Sequence, residues 1–509
     1  MTLFSEMLLE TVLFYGFLPF FLVFIFIYVY FQYSYTYWRR KAVPYIKPKF
    51  PLGNNDCIAP QATSYGLETV AWYKDFKSRG LKYGGAWSWA KPVLLLTDPD
   101  YIRDVLLKDF QYFVDRDMYS NPVHDPKNES LFVVKKDEWK NMRTKLSPVF
   151  TSAKMKMMFD MVVECSKPMI ECIEAASGTK DDIDIKDLLA SFTIDVIGCV
   201  AFGLEFDCFK DKDSQFRQMG REFVNVDIFR ATGLLTTRIC EKLAVHFGFN
   251  NIPKVMTKFF VDVVKNNIEF RKKNNIYRPD FTQLMMEVFE STKNDEHPFT
   301  KDNLIANTTL FFIAGFDTSS TTMQFVLYEL ARNPELQEKT RAEINKVLEK
   351  HDGKFTYEAF KDMTYLRQVL DETLRMYPPV QNLARISVKP YTFKDTNFTL
   401  EKGITVLVST SAMGRDPDYF PDPDKFDPER FNTENKAVRN PYVYLPFGEG
   451  PRNCIGMRFG IMQSSIGIVR ILRKFRISIS PTTQLPLTLM RGVFLLQTNE
   501  TLYLKAEKL

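Results

Sequence analysis

The sequence predicts one large, mainly α-helical domain with small β-sheets, preceded by a transmembrane anchor helix. The 509 residues are 45% hydrophobic, which is ordinary for a protein that folds around a core. From about residue 60 onward the chain has no internal repeat, no low-complexity tract and no second long linker, which favours a single domain. Apolar residues recur at three- and four-residue intervals in four long segments, residues 139–165, 185–203, 255–272 and 301–332.

An uncharged apolar run from Thr11 to Phe31 lies close to the N-terminus. As a helix it would be about 30 Å long, which is enough to cross a bilayer. Acidic residues precede the run and Arg39-Arg40-Lys41 follow it, so the positive-inside rule places the rest of the chain in the cytoplasm. A cleaved signal peptide is the weaker alternative, because the preceding segment is acidic and no small-residue cleavage site appears. The end of the run carries aromatic residues typical of a membrane interface: Tyr28, Tyr30, Tyr33, Tyr35, Tyr37 and Trp38.

The chain is therefore predicted to have three parts. Residues 1–38 form the anchor and its interfacial flank. Residues 39–59 form a basic stop-transfer segment and a hinge whose prolines cannot continue a helix. Residues 60–509 form the globular domain. Short β-like runs flanked by turn-forming residues predict strands within it, at Val93–Thr97, Ile404–Ser409 and Val493–Gln497.

Charge and cysteine usage exclude several classes of protein. The formal net charge is +5 without a long Lys/Arg run, so nothing indicates a nucleic-acid-binding protein. A small, dispersed positive charge fits an anionic membrane surface or an acidic protein partner. The seven cysteines include no C-x-x-C pair, and their odd number and spacing fit neither a disulfide framework nor a structural zinc site. The four histidines form no recognisable ligand pattern.

The segment from Asp302 to Arg332 predicts an unusually long helix. Thr300 is positioned to cap its start, and Asn333-Pro334 ends it. Its middle reads Ala314-Gly315-Phe316-Asp317-Thr318 and continues with four more hydroxyl residues. A glycine alone would most simply be a packing position. A carboxylate on a mainly apolar helix is costly to bury, however, so Asp317 requires a functional or structural partner.

The segment Phe447-Gly-Glu-Gly-Pro-Arg-Asn-Cys454-Ile-Gly456 is the strongest signal in the sequence. Its glycines and proline predict a tight turn of little bulk, and the chain from Ile455 to Arg470 reads as a helix. Cys454 would then lie at a helix N-terminus, which favours a thiolate. A dinucleotide-binding loop is excluded, because the G-x-G-x-x-G spacing is not met. The other six cysteines are interpreted as ordinary buried side chains.

This segment resembles the haem-binding signature of the cytochrome P450 family, F-G-x-G-x-R-x-C-x-G, at every fixed position. The anchor, the proline hinge and the sequence AGFDTSSTT resemble most closely the insect microsomal, xenobiotic-metabolising members. Four further elements are similar to family motifs in the same order: Trp139 with Arg143, Ala314 to Thr318, Glu372 with Arg375, and Pro428-Glu429-Arg430-Phe431.

The resemblance implies that residues 60–509 form a haem-thiolate catalytic domain in which Cys454 ligates the iron of haem b, a ligand that favours O–O cleavage. It implies that charged donors hold the haem propionates. The implied cofactor-binding residues are Trp139, Arg143, Arg385, Phe447, Arg452 and Gly456. The implied oxygen-side and proton-delivery residues are Ala314, Gly315, Asp317 and Thr318. Glu372, Arg375 and Arg430 are implied to be scaffold. An apolar substrate pocket is implied at Phe113, Phe311, Phe312, Val380 and Phe494.

The implied activity is a monooxygenase that inserts one atom of O2 into a lipophilic small molecule. Xenobiotics, plant toxins, insecticides, terpenoids and hormone or pheromone precursors all fit. Electrons would come from NADPH through NADPH-cytochrome P450 reductase, and cytochrome b5 is a second candidate donor. The expected location is the endoplasmic reticulum membrane, single-pass or peripheral. Several basic residues suit either a reductase-docking face or a solvated surface: Lys135, Lys136, Lys140, Lys145 and Arg458.

Two alternatives remain open. A haem-thiolate isomerase or dehydratase would rearrange a peroxide without a reductase, and the Asp317-Thr318 pair argues against it. A membrane-tethered haem sensor or lipophile carrier would not need that pair either.

Overall fold

The computed structural model describes residues 2–55, 65–204, 207–211, 213–224, 233, 236–237, 240–250, 252–490 and 495–509, with the side chains of residues 2–17 and 224 outside the description. Helices dominate. They are α1 Thr2–Ser34, α2 Tyr37–Arg40, α3 Tyr65–Ser78, α4 Pro99–Arg103, α5 Lys136–Leu146, α6 Ser152–Cys165, α7 Lys167–Thr179, α8 Ile185–Ile197, α9 Gln215–Val224, α10 Glu241–His246, α11 Lys254–Asn274, α12 Phe281–Ser291, α13 Lys301–Arg332, α14 Pro334–Lys350, α15 Tyr357–Asp362, α16 Thr364–Met376, α17 Thr410–Gly414, α18 Thr433–Val438 and α19 Met457–Leu472.

Three small sheets complete the fold. The largest has the order β1-β2-β7-β4, and its parallel β2–β7 pair aligns Val93 with Thr405. The others have the orders β3-β9-β8 and β5-β6. The strands are β1 Tyr83–Ser88, β2 Lys91–Leu96, β3 Ile183–Asp184, β4 Asn382–Ile386, β5 Tyr391–Thr392, β6 Thr399–Leu400, β7 Thr405–Ser409, β8 Phe475–Ile479 and β9 Tyr503–Lys508.

Helix α13 is the centre of the hydrophobic core. Thr300 caps it as expected: its hydroxyl accepts from the N–H of Asn303, whose side chain accepts from the Thr300 N–H. Asn333 ends it and Pro334 begins α14. The helix packs against α8, α16 and α19, and almost its whole length is buried. A long helix that is apolar on nearly every side is stable only when other helices surround it.

Helix α1 extends the predicted membrane segment. Among the described residues, the range Leu18–Arg40 is long and apolar enough to cross a membrane, and Phe26 is 73% exposed. The interfacial role predicted for Tyr37 and Trp38 is wrong, because both side chains are buried. Trp38 is fully buried and its Nε1 donates to the Ala86 carbonyl on β1 at 2.9 Å. The globular domain therefore begins to pack against the chain well before residue 60.

Three predicted elements differ from the structure. The segment 139–165 is two helices, since a 3-10 turn, Ser147–Phe150 with Pro148 inside it, separates α5 from α6. The segment 185–203 ends in a π-helical turn, Gly198–Phe202. Of the run Val493–Gln497, the first two residues lie outside the description, and Leu495 forms an isolated bridge with Val380 in place of a strand.

Candidate active site

The loop before α19 presents Cys454 at the start of that helix. The Cys454 N–H donates to the Phe447 carbonyl at 2.8 Å, which closes the turn. Gly448 and Gly450 have φ values of +70° and +72°, a region in which side chains are strained. A Cβ at Gly450 would also lie 1.9 Å from the Leu106 carbonyl oxygen. The predicted tight turn is therefore confirmed. Glycine is required at position 450 both for its positive φ and because a side chain there would clash with the Leu106 carbonyl.

Arginines from two other segments hold this loop, and a third arginine belongs to the loop itself. Arg143 of α5 donates to the Asn453 carbonyl at 3.0 Å and to its Oδ1 at 2.8 Å. Arg116 donates to the Arg452 carbonyl at 2.9 Å. Arg452 of the loop is fully buried and donates to the carbonyls of three residues, Val114 at 2.8 Å, Val134 at 2.7 Å and Leu131 at 3.5 Å. The loop thus gathers cationic side chains that lie far apart in the sequence.

These arginines and Arg385 lie close enough for the charge of one to lower the pKa of another. Burial, and then the neighbouring charge of Arg116, lowers the pKa of Arg385 to about 9. Burial, together with repulsion from Arg116, Arg385 and Arg143, lowers the pKa of Arg452 to about 8. The buried Nε of Arg385 has no hydrogen-bond partner within the part of the chain that the structure describes. The guanidinium of Arg452 also stacks over the Trp139 ring, 4.4 Å from its centroid.

The Cys454 thiol is affected by burial, by the backbone of Gly456 and by two arginines. Burial raises the pKa of its thiol, opposed by the Gly456 N–H and then by Arg116 and Arg143. The side chain is nevertheless exposed by surface area. An accessible sulfur whose pKa is governed by burial lies in an inward cleft, and not on the outer surface.

Helix α13 presents one open stripe. Between Leu304 and Leu330 the positions that are not buried are Leu310, Ala314, Gly315 and Thr318. Their spacing places them on one face of the helix. The next residue, Ser319, lies against α19, because a Cβ at Gly460 would be 3.9 Å from its Oγ. Helix α13 therefore packs directly against the helix that follows Cys454.

Gly315 and Thr318 each contact a neighbouring group within the helical core. A Cβ at Gly315 would lie 2.5 Å from Cδ1 of Ile197, so the glycine allows α8 to approach α13 closely. The Thr318 hydroxyl donates to the Ala314 carbonyl at 2.6 Å, and the Thr318 carbonyl accepts from the Thr322 hydroxyl at 2.9 Å. These hydroxyl bonds weaken the local helix ladder, as expected from the cluster of hydroxyl residues.

Asp317 has the partner that its burial requires. The side chain is 2% exposed, and its Oδ1 accepts from Lys186 Nζ of α8 at 2.8 Å. Lys186 Nζ also donates to the Thr321 hydroxyl at 2.8 Å, and its own side chain is 31% exposed. The Oδ2 atom of Asp317 is buried without a hydrogen-bond partner among the described residues. Lys186 therefore connects a buried carboxylate to the outer surface.

The aromatic residues expected to form a substrate pocket lie in different places. Phe311 packs against Phe150 and Phe281, whereas Phe312 packs against Phe260. Both side chains are buried in these aromatic contacts, so neither belongs to the open stripe. Phe113 is fully buried, with its ring 4.9 Å from that of Tyr391 beside the large sheet. Val380 is half-buried and forms a bridge with Leu495, and Phe494 lies outside the described residues.

The three residues expected to act as scaffold do come together. Arg375 bonds both carboxylate oxygens of Glu372, at 2.6 and 2.8 Å, and both side chains are fully buried. Arg430 Nε lies 3.5 Å from Glu372 Oε1. Burial raises the pKa of the Glu372 carboxyl, and pairing with Arg375 opposes that rise. The bidentate pair therefore compensates a large desolvation cost.

The basic residues expected near the cysteine face are divided by their surroundings. Lys135 pairs with Glu241 at 3.3 Å, and Lys145 pairs with Asp295 at 3.1 Å. Lys136, Lys140 and Arg458 are exposed.

Three residues that line or support this site were missed from the sequence. Arg116 lies between two aspartates and resembles a solvated loop residue. Lys186 gave no pattern, although the unpaired charge expected at Asp317 indicated that some cation must approach it. Leu310 belongs to the open stripe, and its distance of four residues from Ala314 was the available signal.

Comparison with known proteins decides the family. The family model described as Cytochrome P450 matches residues 72–505. The chain belongs to the cytochrome P450 family. It is 40% identical to probable cytochrome P450 6a14 of Drosophila melanogaster, over 93% of this chain and 95% of that protein. Probable cytochrome P450 6a13 (39%, covering 93% and 94%) and cytochrome P450 6a2 (37%, covering 93% and 95%) of the same organism are also similar.

Membership confirms the expected mainly helical P450 fold and makes this chain a P450 monooxygenase with a haem cofactor. The side chains around Cys454 fit that cofactor. Haem carries two propionates, and four arginines that repel one another need anionic partners. The orphaned Nε of Arg385 offers an additional donor for such an anion.

Proposed function

We propose that this P450 holds haem b through the sulfur of Cys454 and inserts oxygen into a lipophilic small molecule, using electrons from NADPH through NADPH-cytochrome P450 reductase. The observation that carries the proposal is the cleft itself. An accessible cysteine just before a helix start has Arg116 and Arg143 near its sulfur, and the helix that follows it packs against α13, which carries the open stripe. Haem, when bound, supplies an iron centre that activates O2 for transfer of one atom to the substrate.

The protein's own groups would prepare the ligand and the propionate site. Arg116, Arg143 and the Gly456 N–H stabilise the Cys454 thiolate against the effect of burial, and coordination to iron would remove its proton outright. Arg385 and Arg452 would bind the propionates, and Trp139 holds the Arg452 guanidinium in place. Phe447 and Gly456 act through their backbones, because they fix the turn that presents the sulfur.

Asp317 and Thr318 would deliver protons on the oxygen side. The Oδ2 atom of Asp317 is available to hold or pass a proton, while Lys186 fixes Oδ1 and is partly in contact with solvent. The Thr318 hydroxyl lies on the open stripe. By rotating away from the Ala314 carbonyl it can donate a hydrogen bond into the space in front of the stripe. Ala314 and Gly315 keep this part of the stripe free of bulk.

The substrate pocket would be apolar where Leu310 and Ala314 face it, which supports a lipophilic substrate. Val380, Phe113 and Phe494 remain candidates for its outer wall, whereas Phe311 and Phe312 would shape it from behind by supporting α13. The apolar helix α1 and the basic residues after it support an anchor in the endoplasmic reticulum membrane with the catalytic domain in the cytoplasm. Lys136, Lys140 and Arg458 would then be free to bind an acidic reductase or cytochrome b5.

The test is the absorption spectrum of the reduced, CO-bound full-length protein. Wild type should give the Soret band typical of a thiolate-ligated haem. Cys454→Ala should abolish that band, because it removes the sulfur proposed to ligate the iron. Cys172→Ala, an exposed cysteine on α7, should leave it unchanged. If both variants kept the band, Cys454 would not be the ligand.

Turnover then distinguishes a monooxygenase from an isomerase. With added reductase and a panel of lipophiles, NADPH consumption should be matched by hydroxylated product. A normal band with product formed from a peroxide and without reductase would instead favour the isomerase or dehydratase.

A further inference from the structure

Two cysteines away from the cleft lie side by side. Cys165 is the last residue of α6, and Cys199 lies in the π-helical turn that follows α8. The two thiols are close enough for the ionisation of one to affect the pKa of the other. Cys165 Sγ also lies 4.0 Å from the Asp195 carbonyl, one helical turn before Cys199. The two sulfurs therefore meet at the junction of two helices and have no part in the site around Cys454.

An arginine makes the two thiols unequal. Arg278 Nη2 donates to Cys199 Sγ at 3.0 Å, and a guanidinium at that distance favours the thiolate. The neighbouring Cys199 thiol and burial raise the pKa of the Cys165 thiol, so this partner keeps its proton. Cys165 and Arg278 are both partly exposed and border the more deeply buried Cys199. A small oxidant can therefore reach a nucleophilic sulfur that has a second thiol beside it.

We propose that Cys165 and Cys199 are a peroxide-sensitive thiol pair that closes to a disulfide. The Cys199 thiolate attacks hydrogen peroxide, the O–O bond breaks, and Cys199 sulfenic acid and hydroxide form. The Cys165 sulfur then attacks the sulfenic sulfur, and the S–O bond breaks with loss of water. The hydroxide takes up the proton that Cys199 released on ionisation. In total the two thiols lose two electrons, one peroxide is reduced, and two molecules of water are released.

The pair is connected to the catalytic helix through packing. Ile197, two residues before Cys199, contacts the position of Gly315 on the open stripe. A disulfide at this junction would join α6 to the turn after α8, directly behind that contact. The proposal does not rest on the proposed function, because its readout is the covalent state of the two sulfurs.

The experiment uses the full-length protein in detergent with hydrogen peroxide at a stoichiometric amount and haem content measured in parallel. After the remaining thiols are alkylated, the protein is digested without reductant and analysed by mass spectrometry. We expect a peptide pair linked through Cys165 and Cys199, lighter by two hydrogen atoms than the separate peptides and separated by dithiothreitol. Cys172 on the neighbouring helix should remain alkylated and serves as the internal control.

Two variants test the division of roles. Cys165→Ser should stop the reaction at Cys199 sulfenic acid, which dimedone traps. Arg278→Met should slow the oxidation of Cys199 several-fold, because the guanidinium that favours its thiolate is gone. Full alkylation of Cys199 in peroxide-treated wild type would overturn the proposal, even if both variants failed to fold. Oxidation of Cys172 at the same rate would do so as well, since the reaction would then be unselective.

Discussion

Four buried or half-buried arginines determine the charge of the cleft beside Cys454. Burial lowers the pKa of each guanidinium because it disfavours the charged form, and the charges of neighbouring arginines lower the pKa further. Asp115 offsets part of this charge, with its Oδ1 3.8 Å from Arg452 Nη2. The remainder makes the cleft selective for an anionic group, which is the feature a propionate-bearing macrocycle requires.

Asp317→Asn tests proton delivery at this scale. The amide keeps the shape and can still accept from Lys186, but it cannot hold and release a proton, so product formed per NADPH should fall and turnover should drop about 100-fold. The measurement is product and peroxide release with added reductase. Asp302→Asn, at the start of the same helix, is the matched control and should keep wild-type turnover. Equal behaviour of the two variants would exclude Asp317 from the relay.

Asp195 of α8 should make stability depend on pH. Burial raises the pKa of its carboxyl to about 6, against the hydrogen bond from the Cys208 N–H. The native state therefore binds this proton more tightly than the unfolded state, where the pKa is about 4. The contribution of Asp195 is complete below about pH 4 and is lost as the pH rises towards 6.

Asp195→Asn should remove that dependence. Between pH 4 and 6 the free energy of unfolding of wild type should fall, relative to the variant, by up to about 1.4 kcal/mol per pH unit. Thermal melts at several pH values in this range measure the difference. Asp160→Asn, an exposed position on α6, should run parallel to wild type. A constant difference between wild type and Asp195→Asn would contradict the sign or the size of the shift.

At the scale of elements, α16 holds the site in place through its buried ion pair. Glu372 also accepts from the Asp427 N–H at 2.9 Å, and Arg375 donates to the Gly414 carbonyl at 2.6 Å. The pair thus ties α16 to two segments that precede the cysteine loop. Its charges are far too deeply buried for either to remain alone.

Arg375→Ala leaves the Glu372 carboxylate buried with Arg430 3.5 Å away as its remaining cation. The expected loss of stability is about 3–5 kcal/mol, and haem content should fall with it. Arg367→Ala on the same helix removes a partly exposed partner of Asp371 and should cost no more than about 1 kcal/mol. Denaturant unfolding and haem content measure both. A similar loss in both variants would show that burial of the pair is not what matters.

At the scale of the whole molecule, the C-terminal end of helix α1 and the P450 domain are packed together. Trp87 Nε1 donates to the Ser34 carbonyl at 3.1 Å, and Trp38 fills the space above Gly85, where a Cβ would lie 2.4 Å from the indole. The rings of Phe31 and Phe50 are 5.3 Å apart. The proline-rich segment therefore folds back on the end of α1, and this contact orients the domain relative to that helix.

Trp38→Ala should show how much this contact contributes to the stability of the protein. Loss of a fully buried tryptophan costs about 3–5 kcal/mol, so the melting temperature in detergent should fall clearly. Phe26→Ala removes a ring that is exposed in the protein and should leave the melting temperature unchanged. If Trp38→Ala melted like wild type, the anchor end would not be part of the domain.

The sequence by itself determined the features that depend on neighbouring residues. The glycines of the turn before Cys454, the capped and terminated helix α13, and the i,i+3 pair Glu372–Arg375 are all written within a few positions of the chain. Periodicity, capping and turn chemistry are local effects, so a single sequence is enough to predict them.

The tertiary structure decided which distant groups meet. Lys186 reaches Asp317 across 131 positions, and Arg116 reaches the Arg452 carbonyl across 336. Trp38 reaches Ala86 across 48 positions and is buried there, although its sequence neighbourhood is typical of a membrane interface. Helical periodicity predicts that one face of α13 differs from the others. Packing against α8 and α19 decided which residues lie where: Leu310 and Ala314 remain accessible, whereas Phe311 and Phe312 are buried. Burial and charge pairing between remote segments depend on packing in three dimensions, and no local pattern encodes them.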